Sequence, residues 1–297
     1  MKVLVSGATG FIGRALCSAL KTNGHQVASL VRRRGSGSND EVFWDPTQGQ
    51  IELDKLNNLD AVIHLAGEPV VGRWSERKKA AIYDSRVQGT QLLVDSLKKL
   101  QNPPSIFLSA SAIGFYGDTG FKCVDEASPQ GEGFLAHVSA DWEAASAPLA
   151  ASGMRVAHMR IGLVLSPKGG ALQRMLPPFK FGLGGILGSG KQAMSWIALD
   201  DLVAAFLYVL SNEALDGPFN LVAPQAVSNY EFTKTLGRVL RRPTFFPVPA
   251  FVLKFLLGEM AESLFLGSSC VRPTRLIKAG FSFKYPKLDA ALEHLLC

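Results

Sequence analysis

The chain of 297 residues is long enough for two domains of ordinary size, or for one α/β unit with a large C-terminal addition. Hydrophobic residues make up 47% of the sequence and charged residues 19%, which is typical of a globular protein and excludes disordered, collagen-like and coiled-coil classes. The net charge of +6 comes without a long basic tract, so the sequence predicts no nucleic-acid binding and suits an anionic small ligand.

The four cysteines lie far apart in the sequence, at positions 17, 123, 270 and 297, and none has the spacing of a metal ligand. We therefore expect no metal site and a reducing compartment. No secretory signal can be fitted before the first strand candidate, and the longest apolar stretch, 245–257, is too short to cross a bilayer. These features predict a cytoplasmic protein without a membrane partner.

Short β-branched segments alternate with amphipathic helical segments up to about residue 161, which predicts βαβ units and a parallel sheet. Apolar residues at helical spacing between the first two strands predict a helix that ends near Asn23 and Gly24. The strand candidates are residues 3–5, 26–31, 61–65, 105–108 and 156–160.

After Gly162 the pattern changes, because paired glycines, paired prolines and the glycine-rich segment 182–190 interrupt any regular element. This segment is expected to be mobile and to lie on the substrate side. Helices near 199–210 and 229–240, and a last helix after Pro286, follow it.

The predicted fold is α/β, with a Rossmann-type doubly wound parallel sheet and a smaller C-terminal substrate-binding region. Residues 1–161 form the predicted dinucleotide-binding domain and 162–297 the substrate-side region, and the chain is allowed to cross between them.

Residues 7–13 read GATGFIG, a GxxGxxG motif that directly follows a predicted strand and opens a predicted helix. Glycines at these spacings permit a tight turn, close approach of a pyrophosphate to backbone N–H groups, and packing of the helix on the sheet. The alternative is a bare strand-to-helix turn. The candidate cofactor contacts are Gly7, Thr9, Gly10, Phe11, Ile12 and Gly13.

The end of the second strand carries Arg32, Arg33 and Arg34 where NAD-binding proteins place an acidic residue on the adenosine ribose. Guanidinium groups can hold a 2′-phosphate, so the sequence favours NADP over NAD, with Arg32 as the principal ligand and Arg33 beside it. The alternative is a solvated basic loop.

Further motifs extend the pattern along the chain: HLAGEP at 64, DSRVQGT at 84, SASAIGFYGD at 109, WEAA at 142 and SWIALDDL at 195. With GATGFIG, they make the sequence resemble the extended short-chain dehydrogenase/reductase superfamily. Within it, the sequence resembles an atypical, epimerase-like, NADP-binding family that is often labelled nucleoside-diphosphate-sugar epimerase or cell-division-inhibitor-like.

The resemblance implies that the backbone of Leu65, Ala66 and Gly67, at the end of a strand, contacts the cofactor. It also implies that Arg86 and Arg160 lie close to the cofactor, although each could instead be a structural ion-pair arginine.

Three residues are candidates for the substrate. Glu68 could meet a substrate hydroxyl or only cap a turn. Ser195 and Trp196 are expected to close over the substrate together with segment 182–190.

Typical members of the superfamily use a serine with a Tyr-x-x-x-Lys pair, in which the lysine lowers the pKa of the tyrosine. Ser111 fits the serine, but alignment on WEAA places Leu135 and Ser139 where the tyrosine and lysine belong. Tyr116 and His137 are the substitute candidates for a proton donor, with an aromatic plug and an ordinary helix histidine as the alternatives.

Two functions remain open. The first is an NADP-dependent oxidoreductase or epimerase that acts on a small polar carbonyl or sugar-like substrate. The second is a non-catalytic NADP(H)-binding regulatory or redox-sensing module that acts through a protein partner. The long helix expected at 75–100 could supply the surface of a homodimer.

Overall fold

An eight-stranded sheet lies at the centre of the computed structural model, which describes residues 1–33 and 40–297. Its strands lie side by side in the order β11-β7-β6-β5-β1-β2-β3-β4, and two short two-stranded sheets pair β10 with β8 and β12 with β9. The strands are, in chain order, β1 (Lys2–Ser6), β2 (Gln26–Val31), β3 (Glu41–Asp45), β4 (Gln50–Ile51), β5 (Ala61–His64), β6 (Ile106–Ala112), β7 (Arg155–Ile161), β8 (Leu163–Leu165), β9 (Ala193–Met194), β10 (Trp196–Ala198), β11 (Gly217–Leu221) and β12 (Val227–Ser228).

Strand β1 pairs in parallel with β2 on one side and with β5 on the other, so the chain order reverses at this strand. The neighbouring strands of the central sheet are parallel throughout, except that β4 runs antiparallel to β3 at the edge. The predicted Rossmann-type sheet is confirmed. A reversal of strand order places a crevice at the carboxyl ends of the strands, where nucleotide ligands of such folds bind.

Helices cover both faces of the central sheet. The helices are α1 (Phe11–Thr22), α2 (Glu76–Leu97), α3 (Phe134–Ala144), α4 (Ala147–Ala151), α5 (Gly170–Lys180), α6 (Leu199–Ser211), α7 (Asn229–Leu240), α8 (Ala250–Leu257), α9 (Glu259–Ala261), α10 (Thr274–Lys278) and α11 (Leu288–Leu296). Short 3₁₀ turns span Leu53–Leu56 and Ile113–Tyr116, and a single π turn spans Glu262–Leu266.

Side chains alternate between two cores because successive residues of a strand point to opposite faces. On β1, Val3 and Val5 pack with α1 and α6, whereas Leu4 packs on the opposite face with α2 and α4. A third core joins α5, α7 and α11 in the C-terminal region. A parallel sheet that is buried on both faces explains why its strands read as nearly continuous apolar runs.

The prediction that glycines and prolines interrupt regular structure after Gly162 is wrong for α5, which contains Pro177 and Pro178. Its Leu172, Leu176 and Phe179 are buried in the third core. Tertiary burial therefore outweighs the helix-breaking tendency of two prolines near the C-terminal end of the helix.

The chain returns to the central sheet after residue 161, because β11 pairs with β7 and α6 packs in the same core as α1. The domain boundary at residue 161 stays a prediction. In the two described ranges, none of the helices combines the length and apolar character needed to span a bilayer.

Candidate functional site

The turn between β1 and α1 holds glycines at positions where any side chain would collide with backbone. Gly7 has φ +67°, and a Cβ on it would lie 3.0 Å from the carbonyl carbon of Leu65. A Cβ on Gly13 would lie 2.1 Å from the carbonyl oxygen of Gly7. The turn therefore needs glycine at both positions to bring α1 against β1 and the end of β5.

The N-terminus of α1 is open. Its N-cap, Gly10, offers no side chain to cap the first N–H groups, and no acidic residue lies in the first turn. The first N–H groups of a helix have no partners within the helix, and together with the helix dipole they favour an anion. Phe11, the first residue of the helix, packs its ring against Gly169 and Gly170 at the start of α5.

The end of β5 is fixed to β1 by a buried hydroxyl. Ser6 Oγ accepts hydrogen bonds from the N–H groups of Leu65 (2.9 Å) and Ala66 (3.1 Å) and donates to His64 Nδ1 (2.7 Å). Burial lowers the pKa of His64 to about 4, so the ring is neutral at pH 7. The N–H groups of Leu65 and Ala66 are thus already used, which leaves their carbonyl groups for the predicted cofactor contacts.

The two candidate 2′-phosphate ligands directly follow β2. Arg32 and Arg33 are exposed, and neither makes an ion pair or hydrogen bond within the described ranges. The third arginine of the run, Arg34, lies outside the described residues. Arg32 is close enough to Asp45 at the end of β3 to contribute to its lowered pKa, although the hydrogen bond from the Thr47 hydroxyl contributes most.

A chain of polar side chains runs beneath the carboxyl ends of β6, β7 and β11. Ser111 Oγ donates to Glu143 Oε1 at 2.6 Å, and Arg160 donates to both carboxylate oxygens of Glu143 at 2.7 Å. Arg160 Nη1 also donates to the Tyr116 hydroxyl at 2.8 Å, which in turn donates to Asn220 Oδ1 at 2.8 Å. Arg160 therefore takes the position of a buried structural ion-pair arginine.

Glu143 is the residue that the sequence analysis missed. It lies on α3 four residues after Ser139, on the same face of the helix, and it belongs to the WEAA segment that served only to align the helix. The sequence signal for Glu143 was its position four residues, or about one helical turn, after the expected lysine position at Ser139.

The two substitute proton donors lie in different environments. Tyr116 is buried, burial raises the pKa of its hydroxyl above the ordinary value, and its proton points to Asn220 in the interior. His137 is exposed on α3, where its Nδ1 lies 3.2 Å from Gln130 Nε2. The structure does not bring either side chain into a hydrogen bond with Ser111, and their catalytic roles stay predictions.

Apolar and small residues occupy the expected Tyr-x-x-x-Lys positions. Leu135 lies on α3 against Gly114 of the turn after β6, and Ser139 is buried one turn further along the helix. No proton relay can form from these two side chains.

Arg86 on α2 lies against the loop that follows β5. Its Nη1 donates to the carbonyl oxygens of Glu68 (2.9 Å) and Ile82 (3.1 Å), and a Cβ on Gly67 would lie 3.2 Å from its Cζ. Burial lowers the pKa of Arg86 to about 10, opposed by the charge of Glu68. The Glu68 carboxylate is bound by Lys78 at 2.6 Å, so it is engaged as a local ion pair.

The predicted substrate residues Ser195 and Trp196 are both buried. Ser195 Oγ donates to the Ser269 carbonyl (2.7 Å) and accepts from the Val271 N–H (2.8 Å), and thus joins β10 to the segment before α10. Trp196 is 0% exposed and has no surface to offer a substrate in this conformation.

The glycine-rich segment 182–190 is held by backbone hydrogen bonds. Gly188 N–H donates to the Val248 carbonyl, and Val248 N–H donates to the Ile186 carbonyl. A Cβ on Gly185 would lie 1.6 Å from the Phe246 carbonyl oxygen, so glycine permits this close approach. The predicted mobility of the segment is not tested by these contacts.

Two of the four cysteines form a disulfide, Cys123 to Cys270. The bond joins the loop after β6 to the segment before α10, where Val124 N–H also donates to the Cys270 carbonyl. The spacing of the cysteines led to the expectation of a reducing compartment, but Cys123 and Cys270, 147 residues apart in the sequence, are in contact in the folded chain. Sequence spacing therefore gives no argument for a reducing compartment.

Known protein families and curated relatives match this chain over most of its length. The sequence model of the NAD dependent epimerase/dehydratase family matches residues 3–221, and a domain of unknown function, DUF1731, matches residues 248–295. Epimerase family protein ML0860 of Mycobacterium leprae is 40% identical over 294 residues, which cover 98% of this chain and 94% of that protein.

Two solved structures extend the similarity. The crystal structure of human epimerase family protein SDR39U1 with NADPH has a TM-score of 0.91 and 34% identity, over 99% of both chains. The nucleoside-diphosphate sugar epimerase of Corynebacterium glutamicum has a TM-score of 0.81 and 35% identity, over 100% of this chain and 58% of that one. The resemblance read from the motifs is confirmed, and the chain belongs to the NAD dependent epimerase/dehydratase family.

Proposed function

We propose that the chain binds NADP(H) at the turn between β1 and α1 and acts as an oxidoreductase or epimerase on a small polar carbonyl or sugar-like substrate. The observation that carries the proposal is the turn itself, where Gly7 and Gly13 leave no room for side chains beside the open N-terminus of α1. The NADPH in the human SDR39U1 structure and the sugar-nucleotide description of the Corynebacterium protein support it.

The residues present fit the cofactor. The uncapped N-terminus of α1 would hold the pyrophosphate through the backbone of Gly10, Phe11 and Ile12. When bound, the nicotinamide supplies or accepts a hydride. The protein chain itself binds the cofactor and the substrate and orients them relative to each other.

The preference for NADP(H) rests on the end of β2. Arg32 and Arg33 are exposed and unpaired within the described ranges, and no carboxylate follows β2 at these two positions. A guanidinium forms charge-assisted, bidentate hydrogen bonds with a phosphate. The same groups have no such partner on the free ribose hydroxyl of NAD.

Ser111, at the carboxyl end of β6, is the candidate residue for the reacting oxygen of the substrate. Because Ser111 is only 2% exposed in this conformation, the site must open for a substrate to reach it. Its only proton is donated to Glu143, so its oxygen can accept a hydrogen bond but cannot donate one. This arrangement suits a substrate hydroxyl, as in an alcohol or sugar, better than a carbonyl oxygen. Glu143 and Arg160 would hold Ser111 in that state.

The cofactor assignment is tested by replacing Arg32 with alanine and measuring the binding of NADPH and NADH by calorimetry. We expect Arg32→Ala to weaken NADPH binding by about 1 to 3 kcal/mol, the range for charge-assisted hydrogen bonds, and to leave NADH binding unchanged. Arg77→Ala, which removes an exposed arginine from α2, serves as the matched control. Equal losses for both cofactors would refute the 2′-phosphate assignment.

The second candidate function is a non-catalytic NADP(H)-binding regulatory or redox-sensing module that acts through a protein partner. The specific observation in its favour is that Leu135 and Ser139 replace the proton-relay pair on α3. A panel of carbonyl compounds, alcohols and nucleotide sugars, followed by NADP(H) absorbance with wild type and Ser111→Ala, separates the two. Tight NADPH binding without turnover on any substrate favours the binding module.

A further inference from the structure

An open groove runs between α1 and β2, beside the glycine turn. Its volume of about 510 Å³ lies within the range of small-molecule sites, roughly 300 to 1,000 Å³. Two cations, three hydroxyls and one thiol line it, from Arg14, Lys21, Thr9, Ser18, Ser29 and Cys17. None of the described residues that line the groove is acidic, so its chemistry suits an anion.

Arg14 holds its guanidinium at the end of this groove that is nearest the glycine turn. It lies on α1 directly after Gly13, and its Nη1 donates to the Thr9 carbonyl at 2.7 Å. Among the residues that the structure describes, this is the one hydrogen bond of its side chain, and it makes no ion pair. Arg14 is exposed, so the rest of its planar fork of N–H donors is free for a ligand.

This end of the groove is also the adenosine end of the proposed cofactor site. Ser6 of β1 is level with Leu30 of β2, so the turn after β1 and the arginines after β2 lie at the same edge of the sheet. Ser29, near the end of β2, lines the groove. In folds of this type the end of the second strand meets the adenosine ribose. Arg14 therefore approaches that place from α1, whereas Arg32 approaches it from β2.

We propose that Arg14 is a second ligand of the 2′-phosphate of NADP(H), which it binds from α1 while Arg32 binds it from the end of β2. The inference rests on the proposed cofactor site and adds to it a residue that determines specificity for NADP(H) over NAD(H). The backbone N–H of Arg14 already donates to the Gly10 carbonyl, so the side chain alone acts on the phosphate. Guanidinium groups bind phosphate oxygens through charge-assisted, bidentate hydrogen bonds.

Lys21 lies at the far end of the same groove and provides a matched control. It follows Arg14 by seven residues, which is about 10 Å along a helix. A phosphate bound to Arg14 is therefore not in direct contact with Lys21. Charges of exposed groups at this separation are largely screened, because the Debye length at physiological ionic strength is about 8 Å. Lys21→Ala thus removes a cation from the same helix and groove without removing a ligand of the phosphate.

The test measures the binding of NADPH and NADH by calorimetry to wild type and three variants. We expect Arg14→Met to raise the Kd of NADPH about tenfold or more and that of NADH less than about twofold, because only NADPH carries the phosphate. Arg14→Lys should recover part of the affinity for NADPH, since it returns a cation without the bidentate fork. Lys21→Ala should change each Kd by less than about twofold.

Equal losses for both nucleotides in Arg14→Met would overturn the proposal, since they would show that Arg14 acts only by holding the turn at Thr9. Unchanged binding of NADPH in Arg14→Met would overturn it as well, and so would a loss of the same size in Lys21→Ala. Failure of the proposed function is distinguishable, because the wild type itself would then bind neither nucleotide or would bind both equally.

Cys17 provides a second measurement on the wild type, which decides the matter if Arg14→Met does not fold. Its thiol is half-buried in the groove, three residues after Arg14, whereas the other free cysteine, Cys297, is exposed. We expect saturating NADPH to slow the alkylation of Cys17 by iodoacetamide, measured by mass spectrometry, and to leave that of Cys297 unchanged. Saturating NADH should slow the alkylation of Cys17 less. Equal rates for Cys17 with the two nucleotides would place the phosphate outside the groove and overturn the proposal.

Discussion

His64 is a buried, neutral residue at the end of β5, where it accepts a hydrogen bond from Ser6 and lies between the rings of Trp44 and Phe107. Its pKa of about 4 in the folded chain is below the ordinary 6.5, so the unfolded chain binds more protons between these two values. Its contribution to stability is therefore complete above pH 6.5 and is lost as the pH falls towards 4.

Lowering the pH from 7.5 to 5.5 should reduce the unfolding free energy of both the wild type and His64→Asn. We predict that the reduction is about 1 kcal/mol larger in the wild type. Asparagine can still accept the hydrogen bond from Ser6 but does not titrate. Urea unfolding of both proteins at both pH values measures the difference. The comparison also cancels His158, whose pKa is lowered by burial in the same direction. Identical pH dependence in the two proteins would contradict a lowered pKa for His64.

Residues of the glycine turn could be predicted from the sequence because their constraints act within a few positions of the chain. Gly13 packs on the backbone of Gly7 and Ala8, which the GxxGxxG spacing itself brings close, and Gly7 adopts a positive φ within the turn. The side-chain contacts of Arg86 and Glu143 could not be predicted in the same way. Their partners, Trp142 and Arg160, come from other elements, and only the folded chain determines which side chains meet.

At the scale of elements, α3 is fastened to β7 by the Glu143–Arg160 pair, whose side chains are only 11% and 5% exposed. Removing one partner of a buried pair leaves an uncompensated charge in the interior. The pair also fixes Ser111 on β6, so three elements depend on one carboxylate.

We predict that Glu143→Gln lowers the unfolding free energy by about 3 to 5 kcal/mol, the usual cost of breaking a buried ion pair from one side. Chemical denaturation measures this loss. Glu132→Gln, the same change at an exposed position, provides the control. A loss below about 1 kcal/mol, the range of surface ion pairs, would show that Arg160 finds another partner.

Element boundaries show where sequence patterns suffice. Helix α7 is found at residues 229–240, as the periodicity predicted, because its apolar face repeats at helical spacing. Helix α5 was missed because its prolines are local signals against a helix, whereas the burial of Leu172 and Phe179 depends on distant residues. Strand β11 was missed as well, because only its pairing with β7 makes it part of the central sheet.

At the scale of the whole molecule, the Cys123–Cys270 disulfide ties the loop after β6 to the C-terminal region. The same two segments are linked by the N–H groups of Thr119 and Arg272, which donate to the carbonyls of Ser268 and Val124. Because the two cysteines are 147 residues apart in the sequence, the disulfide closes a long loop in the unfolded chain. This loop closure lowers the conformational entropy of the unfolded state and so stabilises the folded state.

We predict that reduction with dithiothreitol lowers the unfolding free energy of the wild type by about 2 to 4 kcal/mol, the usual contribution of a disulfide. The double variant Cys123→Ser, Cys270→Ser should be insensitive to the reductant. Alkylation under denaturing, non-reducing conditions should label only the two free cysteines, Cys17 and Cys297. Labelling of all four would show that the bond is not formed.

The family and the parallel sheet could be predicted because motifs along almost the whole chain agree with one another. The path of the chain through the C-terminal region could not, since β11 and α6 return to the first core by contacts between residues distant in sequence. The substrate is not readable from the sequence either, because Ser195 and Trp196, which were expected to meet it, are buried in the folded chain.

Calorimetric titration of the wild-type chain with NADPH and, separately, with NADH tests the central claim most directly. The account predicts one bound NADPH per chain, held more tightly than NADH because only NADPH carries a phosphate for Arg32. Absence of any heat with either nucleotide, or equal affinity for both, would contradict it.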